Sequence, residues 1–482
     1  MAERAVFGAV DIGASSGRVI AGIVTDEGIE LVEVHRFGNA TVEVDGSLHW
    51  DIDSIMTEVV TGLRRLVECY PDVISVGVDT WAVDYGLLDA DGTLLGDPYA
   101  YRDPRTEAVV DAVHARVDVE ALYTVAGLQF LPFNTIYQLV AEQNGPRWAV
   151  AATLLLIPDL IVQRLTGVRI AEITNASTTG LLDARTRAWS TVVLAALDIP
   201  ADLLPELVEP GTVVGPVRAD LGLPDSMVVT TVGSHDTASA VVGVPATTAD
   251  WAYVSSGTWS LVGVELDQPV LTDASREANF TNEGGVDGTV RYLRNVGGLW
   301  LLEQCREVWR TDGDLETLLA AAAELPAGGP VIDVDSSELI APGDMPARIA
   351  AAIQRTGAEP SDDPAMMTRC ILDSLASAYA LTLRRAAELS GRPVEVVHVV
   401  GGGAQNRLLC QLTADATGLE VVAGPVEGTA LGNVLVQARA HGVLSGDLPA
   451  LRRRLADSVE LIRYAPSAES AQSAQSAQPP TG

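Results

Sequence analysis

Lysine does not occur anywhere in these 482 residues, so all 31 basic side chains are arginine. Its absence removes whole chemistries. No Walker A lysine can sit on a phosphate, no protein-kinase β3 lysine can pair one, and no lysine can form a Schiff base with a carbonyl or pyridoxal group. Any nucleotide bound here is held by backbone N–H groups, arginines or a metal. Cysteine is scarce as well: Cys69, Cys305, Cys370 and Cys410 are dispersed, without a C-x-x-C or a paired spacing. Neither a zinc site nor a disulfide scaffold follows, and buried thiols are expected. Positive charge is in deficit, and a formal net charge of −33 argues against a nucleic acid or an anionic membrane as partner. The longest apolar stretch, "WAVAATLLLI" from Trp148, stops at Pro158 and Asp159, short of the roughly 20 residues a spanning helix needs. The segment before Asp11 has no basic run followed by a clean apolar core, so no signal peptide is visible and the expected location is the cytoplasm.

What is present reads as a large globular chain. At 48% hydrophobic and 20% charged residues, the length predicts two domains, each able to bury its own core. Strand-like and helical segments alternate: "AVFGAVDIG", then "IDSIMTEVVTGLRRLVECY" with apolar residues at helical spacing, then "VISVGVDTWAVDYGLLD". That alternation predicts a layered α/β fold. The join "VGVPATTAD", residues 242–250, marks the expected boundary, with domains over 1–247 and 248–465. Farther on, "TRCILDSLASAYALTLRRAAELSG" predicts a long helix closed by Gly391, and "VEVVHVVGGGAQNRLLCQLTADATG" a strand, a glycine turn and a helix. The tail over 466–482 repeats Ser-Ala-Gln and is too poor in large apolar groups to order itself.

Each half opens on a strand, a Gly/Ser turn and a strand: "VDIGASSGRVIAGIV" from Val10 and "YVSSGTWSLVGVEL" from Tyr253. Duplication of one α/β unit accounts for the pair. In "DIGASSGR", Gly13 and Gly17 would permit conformations closed to other residues, and Ser15 and Ser16 would set hydroxyls beside backbone donors. That makes a phosphate rest or, equally, a plain hairpin. Asp11 could orient a water on Mg²⁺, or bond its own turn. "TTVGSHDTASAVVG" reads as a strand breaking at Gly233 into a helix whose first turn holds His235, Asp236 and Thr237. There Asp236 could accept a hydroxyl proton, or merely cap the helix. Trp81 with Asp84, and Asn295 in "NVGGLW", set aromatic faces beside polar groups as sugar sites do, although a core tryptophan is the plainer alternative. The three glycines of "VVGGGAQN" suit close approach of adenine or its ribose to backbone.

Taken in order, "DIGASSGR", "GVDTWAVDYGLLD", "YRDPRT", "FNTIYQL", "GSHDTASA", "SSGTWSL", "NVGGLWLLEQ" and "VGGGAQN" resemble the FGGY carbohydrate kinases from about Val6 to Tyr464. The resemblance implies two RNase H-like domains of the actin-type ATPase class with an inter-domain cleft, which agrees with the duplicated turn. It also implies ATP-dependent phosphorylation with Mg²⁺, with L-rhamnulose as the sugar and its 1-hydroxyl as acceptor. Position by position, Asp236 matches the proton acceptor, and His235, Asp236 and Thr237 the ketose-binding stretch. Ala14, Ser15, Ser16, Gly17, Arg18 and Thr258 match nucleotide phosphate contacts, Gly402 an adenosine contact and Asn295 a sugar contact. Trp81 and Ala82 fall at the sugar, where relatives have glycine in place of Ala82. Glu303, with Gln304 beside it, stands where relatives have a nucleotide-binding glutamine. Domain closure is expected to bring the hydroxyl in line with the γ-phosphate and exclude water. The rival readings are another ketose kinase of the family, for xylulose, ribulose or fuculose, and a non-catalytic actin-like ATP-binding protein.

Overall fold

The structure is a computed structural model that describes residues 4–310, 315–340 and 343–468. It divides into two compact units. The first comprises Met1–Thr247, Glu265–Tyr292 and Gly428–Ser458; the second comprises Thr248–Val264, Leu293–Glu427 and the chain from Val459 on. The units are therefore discontinuous, unlike the contiguous 1–247 and 248–465 expected from the sequence. Two later segments, Glu265–Tyr292 and Gly428–Ser458, return to the first unit. Most of the Ser-Ala-Gln tail, from residue 469, lies outside the described residues.

In the first unit β1 (Ala5–Ile12) turns into β2 (Ser16–Val24) and continues to β3 (Ile29–Gly38). Helix α1 (Ile52–Cys69) leads to β4 (Val73–Thr80), and β5 (Val213–Pro216) and β6 (Val228–Thr230) precede the short helix α2 (Asp236–Val242). The sheet order is β5-β6-β4-β1-β2-β3, with β1 antiparallel to β2 and parallel to β4, and β5 antiparallel to β6. β1 is buried at all but its first residue, as a central strand covered on both faces must be. The α1 residues Ile52, Ile55, Met56, Val59, Leu63 and Leu66 are buried at helical spacing, and Asp51 caps the helix by accepting from Ser54 N at 2.9 Å. A second apolar cluster in this unit gathers Leu87, Val113, Leu139, Leu154, Leu181 and Leu197.

The second unit repeats the scheme. β7 (Trp251–Ser256) and β8 (Trp259–Leu266) form its hairpin. Helix α3 (Trp300–Trp309) and the long α4 (Pro364–Ser390) follow, then β9 (Val396–Val400), α5 (Arg407–Thr417), β10 (Glu420–Ala423) and, after an excursion, β11 (Ile462–Tyr464). That excursion is α6 (Gly428–Ala440), which belongs to the first unit. Five neighbouring strands of this seven-stranded sheet run β11-β10-β9-β7-β8, with β7 antiparallel to β8, parallel to β9, and β11 antiparallel to β10. Strand for strand this matches β5-β6-β4-β1-β2, which bears out the duplication. α4 ends as expected at Gly391, whose φ of 69° makes the left-handed cap.

The first sheet carries helices on opposite faces. A Cβ on Gly8 would meet Leu66 of α1, whereas one on Gly77 would meet Asn433 and Gln437 of α6. Because side chains alternate along a strand, Asp79 shares the α6 face with Gly77. In the register, Asp11 lies opposite Asp79 on one side and Arg18 on the other. The fold thereby sets a carboxylate, a carboxylate and a guanidinium in a row across the strand ends.

Candidate active site

Among the residues expected to carry chemistry, the first unit gathers Asp11, Arg18, His235, Asp236 and Thr237. Arg18 Nη2 donates to Asp11 Oδ2 at 2.5 Å. Asp79, fully buried, accepts from Asn433 Nδ2 at 2.6 Å on one oxygen, while Oδ1 has no hydrogen-bond partner. Burial pushes the Asp79 carboxyl well up, and the charges of Asp11 and Asp236 push it further. These are three carboxylates whose fields overlap, with one arginine among them. Gln437 extends the polar chain, donating to Asn433 Oδ1 at 2.6 Å and accepting from Ser75 Oγ at 2.6 Å.

Asp236 opens α2, and the helix N-cap is His235 rather than Asp236. The capping alternative for Asp236 therefore fails. Its Oδ1 accepts from Thr237 N at 2.5 Å and from Thr237 Oγ1 at 3.1 Å, and lies 3.4 Å from His235 Nε2. The side chain is 32% exposed, so its second oxygen can meet a hydroxyl from solution. On its other side, His235 Nδ1 is 3.2 Å from Arg291 Nη2 and 3.3 Å from Glu283 Oε2. Burial alone would raise the Glu283 carboxyl, but the charge of the Arg291 guanidinium opposes it and the group is held below its ordinary range. The loop before His235 is clamped by another buried acid: Glu172 accepts from Ser234 N at 3.0 Å, Ser234 Oγ at 2.6 Å and Thr174 N at 3.0 Å.

Three of the sequence motifs, with Trp50 from outside them, meet at one carboxylate. Asp84 Oδ2 accepts from Trp50 Nε1 at 2.7 Å, Trp81 Nε1 at 3.0 Å and Tyr101 N at 3.1 Å, and Oδ1 accepts from Gln138 Nε2 at 2.9 Å. Burial pushes the Asp84 carboxyl up to about 6 despite these donors. Gln138 in turn accepts from Arg105 Nη2 at 3.1 Å. Trp81 is buried against Trp50, their ring centroids 4.3 Å apart, and Ala82 is half-buried. Between them and Asp84, Val83 has a φ of 69°, a conformation that costs a β-branched residue about 1–3 kcal/mol. Thr135 Oγ1 holds it by donating to Val83 O at 2.7 Å.

The "GASSG" turn is a hairpin tip with Ser15 exposed and Ala14 and Ser16 half-buried. Asn39, just past the end of β3, closes it, donating Nδ2 to Gly13 O at 2.8 Å and N to Ser15 O at 3.0 Å. The reason expected for its glycines is not the one found. Neither Gly13 nor Gly17 has a positive φ; Gly17 lacks a side chain because a Cβ would stand 2.2 Å from the Phe37 ring.

In the second unit, Thr258 sits in the β7–β8 turn, which is tied back by Leu299 N donating to Gly257 O at 3.0 Å. The triple glycine follows β9. Cβ atoms on Gly401 and Gly403 would strike Ser256 of β7, whereas Gly402 is exposed with nothing within 4 Å. A flat ring has room there. Asn295 lies on the strand Val290–Gly297. Glu303 occupies the exposed face of α3, and Gln304 is buried, its Nε2 donating to Glu307 Oε2 at 2.7 Å. Sequence patterns had not singled out Asp79 as a group of its own, nor Glu172, Glu283, Arg291, Asn433 or Gln437. Each is an ordinary residue in its local string, and only tertiary pairing brings it to the site.

Comparison with known proteins finds relatives along nearly the whole chain. The model of the FGGY carbohydrate kinase N-terminal domain matches residues 6–243, and that of the C-terminal domain matches residues 252–441. The chain is 44% identical over 468 residues to a rhamnulokinase of Pectobacterium carotovorum, covering 96% of this chain and 93% of that one. It is 42% identical over 457 residues to a rhamnulokinase of Enterococcus faecalis, covering 93% and 92%. Among solved structures, the gluconate kinase from Lactobacillus acidophilus superposes with a TM-score of 0.81 at 18% identity, covering 98% of this chain and 96% of that one. The Plasmodium falciparum glycerol kinase with ADP superposes at 0.78 and 17% identity, covering 98% and 96%. At such identities the structures speak for the fold alone, a two-domain actin-type ATPase fold. With both domain models matched and curated relatives above 40% identity over nearly its whole length, the chain belongs to the FGGY family of carbohydrate kinases.

Proposed function

We propose that this chain is an ATP-dependent rhamnulokinase, which moves the γ-phosphoryl group of ATP to the 1-hydroxyl of L-rhamnulose and yields L-rhamnulose 1-phosphate and ADP. The observation that carries the reading is full-length likeness to curated rhamnulokinases at 40–44% identity. Phosphoryl transfer asks little covalent help of a protein and much positioning. Asp236 is the proton acceptor. With Oδ1 engaged by Thr237, Oδ2 faces the sugar and takes the hydroxyl proton as the new O–P bond forms. The bond between the γ-phosphorus and the bridging oxygen breaks, and its electron pair leaves with ADP. The proton returns to solvent once the product has gone.

His235 and Thr237 flank the base and bind the ketose, with Asn295, Trp81 and Ala82 completing the sugar contacts. Ala14 to Arg18 and Thr258 take the phosphates, Gly402 the adenosine, and Glu303 the nucleotide contact made elsewhere by glutamine. Backbone N–H groups and Arg18 stand in for the missing lysine. The Asp11 carboxylate suits a hard cation, which takes oxygen ligands. Among the described residues no three His, Cys, Asp or Glu side chains are close enough to hold a metal unaided, and Asp11 would hold an ion that arrives with the nucleotide by orienting its water. Bound there, Mg²⁺ would offset charge on the phosphate oxygens. Among the described residues no helix is long and apolar enough to cross a membrane, and dependence on ATP fits a cytoplasmic site of action.

ADP release with ATP, Mg²⁺ and a panel of L-rhamnulose, L-fuculose, xylulose, ribulose and glycerol tests the reading. L-rhamnulose is expected to give the highest kcat/KM, and preference for another sugar overturns the substrate assignment. Sugar-independent ATP binding with no turnover on any sugar would favour the non-catalytic alternative. Asp236→Asn should keep ATP affinity and lose on the order of 10²–10⁴-fold in kcat; near-normal turnover would remove Asp236 from its role.

A further inference from the structure

His235 is gripped from behind by a buried ion pair that plays no part in the sugar or nucleotide contacts assigned above. Arg291 is 0% exposed, and its Nη1 lies 3.0 Å from Glu283 Oε2, itself on a side chain 7% exposed. Two carbonyls complete the guanidinium's surroundings: Nε donates to Gly284 O at 3.0 Å and Nη2 to Thr174 O at 3.4 Å. The same Nη2 stands 3.2 Å from His235 Nδ1. Burying a charged pair is expensive unless geometry and extra hydrogen bonds compensate. A packed apolar pair would serve stability as well, so the pair calls for another reason.

We infer that Arg291, held by Glu283, is a positioning residue for phosphoryl transfer: it donates to His235 Nδ1, fixes the Nε2–H tautomer, and so aims that proton at Asp236 Oδ1. Arginine has donors only, so a nitrogen hydrogen-bonded to Nη2 must be the acceptor, and the ring proton then resides on Nε2. That nitrogen is 3.4 Å from Asp236 Oδ1, a long contact of the kind that tightens when substrate binds. Together with Thr237 N and Oγ1 it makes Oδ1 the bound oxygen of Asp236 and leaves Oδ2 for the sugar hydroxyl. An imidazolium, protonated at both nitrogens, would set its Nδ1–H against the Arg291 Nη2 donor at 3.2 Å; the other neutral tautomer puts the proton on Nδ1, donated to Glu283 at 3.3 Å, and turns an unprotonated Nε2 toward the Asp236 carboxylate. Two acceptors would then face each other, with nothing to fix the base.

The inference rests on the reading of Asp236 as the base, and its test separates the two. In protein labelled with ¹⁵N-histidine, the six histidines are few enough to assign His235 by its loss in His235→Gln. Wild type is expected to show Nδ1 in the unprotonated range and Nε2 in the protonated range. Arg291→Met should mix the tautomers and lower kcat on L-rhamnulose by roughly 10–100-fold, the scale of a mispositioned catalytic group, while KM for ATP stays within about twofold. Glu283→Gln, which keeps shape and removes the charge, should move both readouts the same way by a smaller factor. It also serves if Arg291→Met does not fold. A protonated Nδ1 in wild type overturns the inference, as does unchanged kcat and His235 spectrum in the folded variants. Should no sugar be phosphorylated, the kinase reading fails by itself, and the wild-type tautomer still decides the role of Arg291.

Discussion

At the scale of single residues, Asp84 shows how much of the site hangs on one buried carboxylate. Three donors converge on Oδ2 and a fourth, Gln138 Nε2, meets Oδ1. Asp84→Asn would turn an amide N–H₂ toward Gln138. Flipping Gln138 to accept that proton would point its own N–H₂ at Arg105, which now donates to Gln138 Oε1. The donors cannot all be satisfied, and one buried group left unpaired costs about 1–3 kcal/mol. Asp84→Asn is therefore expected to lower Tm and, by releasing the strained Val83, to raise KM for L-rhamnulose while leaving KM for ATP unchanged; an unaltered sugar KM would detach Asp84 from the site. The strings "DTWAVD", "YRDPRT" and "FNTIYQL" were legible in the sequence as separate motifs. That they share one oxygen pair was not, because no local pattern records which distant donor an acid will meet. Glu283 and Arg291 were invisible for the same reason.

At the scale of elements, the duplicated hairpin and the glycine-closed α4 could be read from alternation and punctuation, signals that live within about ten residues. The pairing of α2 with α6 could not, since nearly 200 residues separate them. Their contact is unusually close. A Cβ on Gly432 would stand 1.8 Å from Ser239 O, and one on Gly243 would stand 2.1 Å from Gly428 O. These obstacles are backbone, so no rotamer change relieves them. Gly432→Ala should gain a little helix propensity yet lose more by forcing the helices apart, a net loss of about 1–3 kcal/mol or more. Because α2 carries Asp236 and α6 carries Asn433, which bonds Asp79, the same shift should reduce kcat. Differential scanning calorimetry and turnover on one preparation check both, and a variant as stable as wild type would mean that α6 sits farther from α2 than the structure places it.

At the scale of the molecule, acid groups outnumber basic ones two to one, and several of them are buried. The chain carries 64 Asp and Glu against 31 Arg, and such an excess strains the compact state by self-repulsion. Inside the first unit, burial raises the carboxyls of Asp79, Asp84, Asp159 and Glu172. A carboxyl raised on folding binds its proton more tightly in the native state than in the unfolded chain, so its contribution to stability is complete below the unfolded value and is lost as pH rises through the folded one. For Asp84, raised from 3.8 to about 6, the swing between about pH 4 and pH 7 is on the order of 3 kcal/mol. Glu283 acts in the opposite sense: held low by the charge of Arg291, it stabilises above its unfolded value of 4.5 and loses that contribution as pH falls further. The balance puts maximal stability on the acid side of neutrality. Tm should rise as pH is lowered from about 8 to about 6 and decline again below about 4.5. Added salt should raise Tm more at about pH 8 than at about pH 5.5, because screening relieves repulsion that protonation has already reduced at the lower pH. A Tm falling steadily from pH 8 downward would mean that the buried acids keep ordinary affinities for protons, and that donors such as those around Asp84 outweigh the loss of water.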